Sequence, residues 1–546
     1  MFKSYQVMTG AAMAALLAAG CKSAEDYKEE RLNSAALNYD VLVQKRLFAE
    51  DQVLTLQDCI SLAMQNNADI RVYQKRKEAA DAKVAAEAFA MLPDLTISND
   101  FTSRNNVPAS SSKNIVGGTG GTYSASQSSD ENINGLNVEL ALSALDCGLA
   151  ALNSAQAQDD SLIRDEETRR AIQNLVYDVV RNYYRVAATQ DAIQTTEQYL
   201  ERCKNAKEQL QQLADSGAIP VMRVLDEQKR FIQLEQSLKD YRRNYQSACY
   251  ELGALMGVIT SDIKVDSSAI AKLQDFYVPD IQLLEKIALT QRPELYQMDI
   301  QTNIAVNEAR KTMLMMLPHV KAVVDFQNSN NSFLYHKNWW EIGVTAAYNF
   351  LKLPQKVALL RSQLAQEEEM AERTLALSIG IISQVRIAHA NMLELKDAYE
   401  SREMIAKTYK LHVEEAEKAK NVSGNLNQLE FDRLQLEAAE MEIERVLALC
   451  NYYVAYQRLL NTVGVNELDE QTAQAFAIQI AEAEAKAKGL TEREEQALAA
   501  AQERMAEGAL ALQFNGVPIH QNTMSDERRA KLDSLIPAES VEDQAF

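Results

Sequence analysis

The residue types that carry most enzyme chemistry are scattered in this sequence. Its five histidines, His319, His336, His389, His412 and His520, lie far apart along the chain. No HExxH, GxSxG or GxxxxGKS pattern occurs. The many carboxylate pairs at three- and four-residue spacing are those expected on exposed helices. The sequence therefore predicts no enzyme, no metal site and no cofactor.

Cys21 is the cysteine whose surroundings indicate a modification. It follows Lys3, an apolar run from Val7 to Leu17 and three small residues, which is the arrangement of a signal peptide covering residues 1–20. The letters LLAAGC resemble a bacterial lipobox, which predicts acylation of Cys21, with palmitate among the acyl chains, and a lipidated linker over 21–53. The alternative is a plain secretory signal with an incidental cysteine.

Composition excludes some partners and favours helices. The chain has 56 Lys and Arg against 77 Asp and Glu, a net charge of -21, and no basic stretch that could follow nucleic-acid phosphates. Only 18 Gly and 9 Pro interrupt a sequence rich in Ala, Glu, Gln and Leu. Beyond the leader no stretch reaches the ~18 apolar residues of a membrane helix. We therefore expect long helices, and any membrane crossing would have to use strands.

The chain is a tandem duplication. Residues 62–101 align without a gap to residues 287–326 at an offset of 225, and Leu92-Pro93 matches Leu317-Pro318. A Ser/Gly-rich insertion, Ala109–Ser129, then lowers the offset to 207, where Ser216-Gly217 matches Ser423-Gly424. The insertion is interpreted as a surface loop.

Each copy predicts a helix, a β-hairpin, a very long helix, a tip turn and a return helix. In copy one the opening helix is predicted to run uninterrupted over 58–91, because good helix formers fill it until Pro93. Alternation of Leu95, Ile97 and Phe101 with polar residues predicts a strand. The predicted segments are a first repeat 54–256 with hairpin 94–145 and tip turn 215–220, an equatorial connector 257–281, a second repeat 282–464 with hairpin 319–352 and tip turn 422–427, and an acidic Ala/Glu-rich extension 465–546, partly helical or loose.

These elements predict a mostly α fold with a small β part, in which long helical hairpins form an α-barrel tunnel. Four amphipathic strands per chain cannot close a barrel, and open edges in lipid are costly. Three copies would supply about twelve strands, a size that leaves a lumen. We therefore predict a homotrimer with a 12-stranded outer-membrane β-barrel. Trp339 and Trp340 would suit a membrane interface, and the alternative is packing in a soluble hairpin.

The doubled order of elements across residues 54–464 resembles the TolC-like outer-membrane efflux family. Local motifs agree: Leu54-Thr55-Leu56-Gln57-Asp58 and Leu92-Pro93-Asp94-Leu95 resemble the family's opening run. Leu145-Asp146-Cys147-Gly148 resembles its "FDxG" strand exit, with Leu145 in place of Phe.

The resemblance implies an exit duct of a tripartite efflux or type I secretion system, which conducts passively from the periplasm to the exterior. It implies an inner-membrane pump and a periplasmic adaptor, or membrane fusion protein, as partners. The protein would be lipid-anchored in the outer membrane, contact its lipid and extend into the periplasm. The rival hypothesis is a periplasmic coiled-coil scaffold or adaptor lipoprotein without a pore.

The resemblance also assigns site residues. Carboxylates that narrow the periplasmic mouth correspond to Glu430 and Asp432, with Asp226 in the first copy. The alternative is ordinary solvated helix charge. The adaptor would meet the two tip turns, although a Ser-Gly pair can also simply end a helix. The expected adaptor-contact residues are Ser216, Gly217, Ala218, Ser423, Gly424 and Asn425.

Overall fold

The structure is a computed structural model that describes residues 22–44, 52–111, 125–215, 220–260, 262–273, 276–423 and 428–489. The predicted signal peptide, Cys21 and most of the extension lie outside these residues. The chain divides into two compact units, residues 1–473 and 474–546. In the second unit residues 474–489 are helical.

Within the described residues, the first repeat consists of four helices and four strands. Helix α1 (Ala24–Gln44) precedes it. The repeat itself consists of helices α2 (Leu56–Asn66) and α3 (Ala68–Phe89), strands β1 (Asp94–Ser103), β2 (Ala109–Ser111), β3 (Ala125–Gln127) and β4 (Asn132–Ser143), and helices α4 (Ala144–Asp215) and α5 (Val221–Leu255). Strands β2 and β3 form a separate small ladder within the predicted insertion.

The second repeat follows a connector with one short 3-10 helix, Ser267–Lys272. Its elements are α6 (Ile281–Gln291), α7 (Pro293–Leu314), β5 (His319–Ser329), β6 (Asn338–Ala347), a 3-10 turn Phe350–Lys352, α8 (Leu353–Ser423) and α9 (Gln428–Val463). The predicted fold class, mostly helical with two principal hairpins, is confirmed. Within the ranges given above, none of the helices combines the length and the apolar composition that crossing a membrane requires.

The opening helix of each repeat is broken, and the prediction of one uninterrupted helix over 58–91 was wrong. Asn67 is extended, with φ -62° and ψ 128°, and separates α2 from α3. Its side-chain oxygen accepts hydrogen bonds from the backbone N–H of Asp69 and Ile70, so it caps the new helix. The second repeat breaks at Arg292, directly before Pro293, whose missing N–H suits a helix start.

Each break binds the end of its own return helix. Asn67 donates a side-chain hydrogen bond of 3.1 Å to the carbonyl of Leu255, and Arg292 donates one of 2.7 Å to the carbonyl of Thr462. The donors are 225 positions apart and the acceptors 207, which are the two offsets of the sequence duplication. The duplication therefore extends to individual hydrogen bonds.

A glycine completes each of these junctions. Gly257 and Gly464 are the two described residues with positive φ, 73° and 91°. A Cβ on Gly257 would lie 2.9 Å from the carbonyl oxygen of Asn66, and one on Gly464 would lie 3.2 Å from that of Gln291. Both positions combine left-handed backbone with close approach, so only glycine fits without strain.

We expect Gly257→Ala and Gly464→Ala each to lower the free energy of unfolding by about 1–3 kcal/mol. Gly380→Ala is the matched control, because Gly380 lies inside α8 with nothing within 4 Å of an added Cβ. That variant should be neutral or stabilising by about 0.5–1 kcal/mol. Denaturant unfolding followed by circular dichroism measures all three. Equal stability of Gly257→Ala and Gly380→Ala would contradict the account of the junction.

The main sheet is antiparallel with the order β1-β4-β5-β6, so that β4 and β5 join the two repeats while β1 and β6 are its edges. Residues aligned across the four strands form rows, and successive rows alternate between mainly apolar and mainly polar side chains. Leu95, Leu140, Val324 and Ile342 form one aligned row on one face. The sheet therefore has one apolar face and one polar face.

The helical core is centred on α4. Val179, Tyr183 and Val186, at the positions where the coiled-coil seam was predicted, are fully buried. They belong to a cluster that includes α2, α5 and the connector. All five described cysteines are free, and four of them are buried. The pKa of Cys59 is raised to about 12, mainly by burial and further by the charge of Asp58. The thiols therefore act as small apolar groups.

Candidate channel-forming site

The apolar face of the sheet is exposed. Ile97, Val138, Phe326 and Trp340 form its second aligned row, and the Trp340 ring packs 5.1 Å from the Phe326 ring while remaining 72% exposed. The prediction grouped Trp339 with Trp340, but adjacent strand residues point to opposite faces. Trp339 lies half-buried on the polar face. Of these two tryptophans, Trp340 is the one on the exposed apolar face.

The polar face carries a row of carboxylates. Glu139, Asp325 and Glu341 are direct cross-strand neighbours, and Thr96 continues the row onto β1. Lys321 forms an ion pair of 2.6 Å with Glu139. Three carboxylates against this one lysine give the face a negative local charge, which attracts cations.

The two repeats meet along α4, which packs on α7 and α9 of the second repeat. Contacts occur along its whole length. Near the start of α4, Gly148 faces α7: a Cβ added to this glycine would lie 3.5 Å from Leu314 Cδ1, at van der Waals distance. The other contacts are the Arg170–Glu294 ion pair at 2.9 Å, the Tyr184–Tyr453 ring pair at 4.9 Å and the hydrogen bond from Arg202 to the Gln435 side chain at 3.3 Å.

The tandem counterpart of this face lies on α8 and is exposed. Helices α4 and α8 begin at 144 and 353, an offset of 209, which also aligns the buried Tyr183 with the buried Met392. The offset falls to 207 only further along the helices, at the tip turns. At that offset Gly148, Arg170, Tyr184 and Arg202 correspond to Val357, Ile379, Leu393 and Leu411. These four side chains are 37%, 61%, 44% and 61% exposed.

Three more exposed apolar residues, Leu364, Leu375 and Met404, complete the set. The seven residues recur at spacings of 7, 11, 4, 14, 11 and 7, which keep them on one helix face. We call this face the α8 stripe. Helix α8 packs on α6, α7 and α9 of its own repeat, and the stripe faces away from them.

The tip of the molecule brings α5 and α9 together. The Arg433 guanidinium donates two hydrogen bonds, of 2.7 and 2.9 Å, to the carboxylate of Glu227. Burial alone would lower the pKa of Arg433, but the bonds to Glu227 and the charges of Glu437 and Glu430 outweigh it, so that the pKa is raised. Sequence reasoning missed this pair. Its signal was that Arg433 is the counterpart of Asp226 at offset 207.

The three predicted mouth carboxylates lie near this pair. Glu430 and Asp432 are half-buried on the first turns of α9, and Asp226 is exposed on α5. Ser423 is the last residue of α8. The other predicted tip residues, Ser216, Gly217, Ala218, Gly424 and Asn425, lie outside the described residues.

We expect Glu227 and Arg433 to be coupled by about 1–2 kcal/mol, because their side chains are 22% and 20% exposed and only partly screened by water. A double-mutant cycle with Glu227→Gln and Arg433→Gln, read by denaturant unfolding, measures this coupling. The control is the exposed pair Asp240–Arg243, for which coupling below ~0.5 kcal/mol is expected. Equal coupling in both cycles would refute a special role for the tip pair.

This geometry defines a class of protein: a duplicated chain of long helical hairpins with a two-faced sheet, in which one face of α4 is covered by the second repeat and the corresponding face of α8 is exposed. Residues 59–258 match the family model described as outer membrane efflux protein. The match covers nearly all of the first repeat and the first two residues of the connector, and it confirms the predicted resemblance to the TolC-like outer-membrane efflux family. A comparison with curated proteins gave no match.

Solved outer-membrane channels share the fold. A structure of CusC, from work on folding and transmembrane channel formation, is 15% identical with a TM-score of 0.58, over 78% of this chain and 95% of that one. The open-state MtrE channel of Neisseria gonorrhoeae is 14% identical, TM-score 0.57, over 75% and 89%. VceC of Vibrio cholerae is 14% identical, TM-score 0.55, over 75% and 96%. At such identities the likeness shows the fold alone.

Proposed function

We propose that this chain is one protomer of a homotrimeric outer-membrane duct that conducts substrates passively from the periplasm to the exterior, with no enzymatic step. The observation that carries the proposal is the α8 stripe. The face of α4 that corresponds to it is covered by the second repeat, so the stripe has the position of a seam that another copy would cover.

The equivalence of the α4 face and the α8 stripe supports a ring of copies about a common axis. Within one chain α4 lies against α7 and α9, so the equivalent neighbours of α8 would be α3 and α5 of the next copy. This packing of one copy on the next would also place edge strand β6 against edge strand β1 of that copy. Three copies would contribute about twelve strands, which leave a lumen, whereas two would contribute eight and a filled bore. Each edge would then be paired.

The two faces of the sheet support a membrane location. Its exposed apolar rows would contact outer-membrane lipid, with Trp340 near an interface, while the row of Glu139, Asp325 and Glu341 would face the lumen. Acylation of Cys21 would add a lipid anchor. A pore-free scaffold or adaptor would need no sheet with an exposed apolar face, and we therefore favour the duct.

The helical end would reach into the periplasm. There the tip turns 215–220 and 422–427 would meet a periplasmic adaptor fed by an inner-membrane pump of a tripartite efflux or type I secretion system. The family match and the shared fold support the efflux class of duct. We retain the predicted division into repeats 54–256 and 282–464, the connector 257–281 and the extension 465–546 as a proposal.

Replacing Leu375 and Ile379 of the α8 stripe by Glu should abolish assembly, because burying unpaired carboxylates in the seam costs several kcal/mol. Size-exclusion chromatography with light scattering in detergent should show the variant as a monomer with wild-type helical content. The control is Ile387→Glu, an exposed apolar site roughly a third of a turn from the stripe, which should assemble normally. A trimeric stripe variant would refute the seam.

Glu430→Gln with Asp432→Asn should increase single-channel conductance or reduce cation preference, because three copies of each carboxylate would converge at the mouth. Reversal potentials across a planar bilayer in a salt gradient measure the preference. Asp226→Asn should have a smaller effect, since exposed charge is screened by salt. Glu25→Gln with Glu29→Gln on α1 removes the same charge elsewhere and serves as control. Unchanged currents in the first variant would refute the mouth assignment.

A further inference from the structure

A cleft of about 680 Å³ lies where the start of α2, the end of α9 and the connector between the repeats come together. Five of its fifteen lining residues are aromatic: Tyr184, Phe276, Tyr277, Tyr453 and Tyr456. The volume lies within the range of about 300–1,000 Å³ that is usual for small-molecule sites. Neither the tunnel nor the tip pair uses these side chains.

The aromatic rings are held in place by one another and by hydrogen bonds. The Phe276 ring stacks on Tyr456 at 4.2 Å and meets the Tyr453 ring edge-on at 5.9 Å. The Tyr456 hydroxyl donates to the carbonyls of Tyr277 and Leu468, at 3.2 and 3.3 Å, and Gln457 donates to the Tyr453 hydroxyl at 2.9 Å. These contacts fix the positions of the rings, and the residues that carry them line the cleft.

The charge of the cleft is negative. Glu467 and Asp469 belong to its lining, which includes no Lys, Arg or His. The pKa of Tyr456 is raised to about 12, mainly by burial and further by the nearby Tyr453, Asp469 and Glu467. Tyr456 is therefore neutral, and the charge near its ring is that of the two carboxylates. The N-terminus of α2 could attract an anion, but the Asp58 carboxylate already accepts a 3.0 Å hydrogen bond from the Thr55 N–H there. The surroundings therefore favour a cation.

The duplicated fold does not require the aromatic residues. Tyr453 and Tyr456 correspond at offset 207 to Gln246 and Cys249, and Tyr184 corresponds at offset 209 to Leu393. Tyr453 and Tyr456 lie in the second repeat and Tyr184 lies in the first, and in each case the other repeat packs the equivalent helix without the ring. Helix packing therefore does not require an aromatic side chain at these positions.

We propose that this cleft binds a monovalent organic cation with a quaternary or tertiary ammonium group, held by aromatic ring faces and by the carboxylates of Glu467 and Asp469. Ring faces attract such cations electrostatically, and aromatic sites are a common way to bind quaternary ammonium groups. The apolar substituents of the ammonium would contact Leu273 and Leu468 of the lining. This site is independent of the proposed duct, since binding needs no pore.

The test is isothermal titration calorimetry of the full-length protein in a maltoside detergent, with choline as the probe. The second ligand is the uncharged isostere of choline, in which a tert-butyl group replaces the trimethylammonium group. Choline should bind at least about fivefold more tightly than the isostere, because only the cation gains the ring and carboxylate interactions. Equal affinity for the two ligands, or no binding of choline, would overturn the proposal.

Variants locate the site. Phe276→Leu keeps the volume apolar and removes one ring, and it should weaken choline binding by about fivefold. Glu467→Gln should weaken it by a factor of about two to five without changing binding of the isostere. Tyr27→Leu, which removes an exposed tyrosine from α1, is the matched control and should leave affinity unchanged. Equal loss in Tyr27→Leu and Phe276→Leu would show that choline binds elsewhere.

Discussion

A long amphipathic helix in this fold needs apolar neighbours on more than one side, and a single chain provides them for only one of its two long helices. Helix α4 is held between its own hairpin and the second repeat, with contacts from Gly148 near one end to Arg202 near the other. Helix α8 has 71 residues against 72 in α4 and the same position in its repeat, but its equivalent face is a stripe of exposed leucine, isoleucine, valine and methionine. The remaining features of the proposed assembly follow from this asymmetry.

The chemical differences between the two seams are as informative as their similarity. The seam inside the chain uses polar and aromatic pairs, such as Arg170–Glu294 and Tyr184–Tyr453. The corresponding α8 positions, Ile379 and Leu393, are aliphatic. Apolar residues suit a seam that forms between separate chains, because they need no exact partner geometry and gain free energy from area alone. The divergence of the two copies is thus consistent with one interface inside the chain and one interface between chains.

Much of this architecture could be predicted from sequence because the signals are repeated. The 225-residue offset, the doubled Leu-Pro and the alternation around Leu95 gave the order of helices and hairpins. Local reasoning failed where tertiary contacts decide. The break at Asn67 lies among good helix formers, and there Asn67 both caps α3 and donates a hydrogen bond to the distant carbonyl of Leu255. Likewise Glu227 and Arg433 are 206 positions apart, and no local pattern pairs them. Trp339 and Trp340 were grouped by adjacency, although a strand separates neighbours to opposite faces.

The central claim is that the α8 stripe and the sheet edges β1 and β6 are covered only when identical copies assemble. Native mass spectrometry of the detergent-solubilised wild-type protein tests it most directly. The account predicts one dominant species with three times the mass of a single chain, and no stable smaller assembly under gentle activation. A folded species with the mass of one chain, retaining its strand signal in circular dichroism, would contradict it.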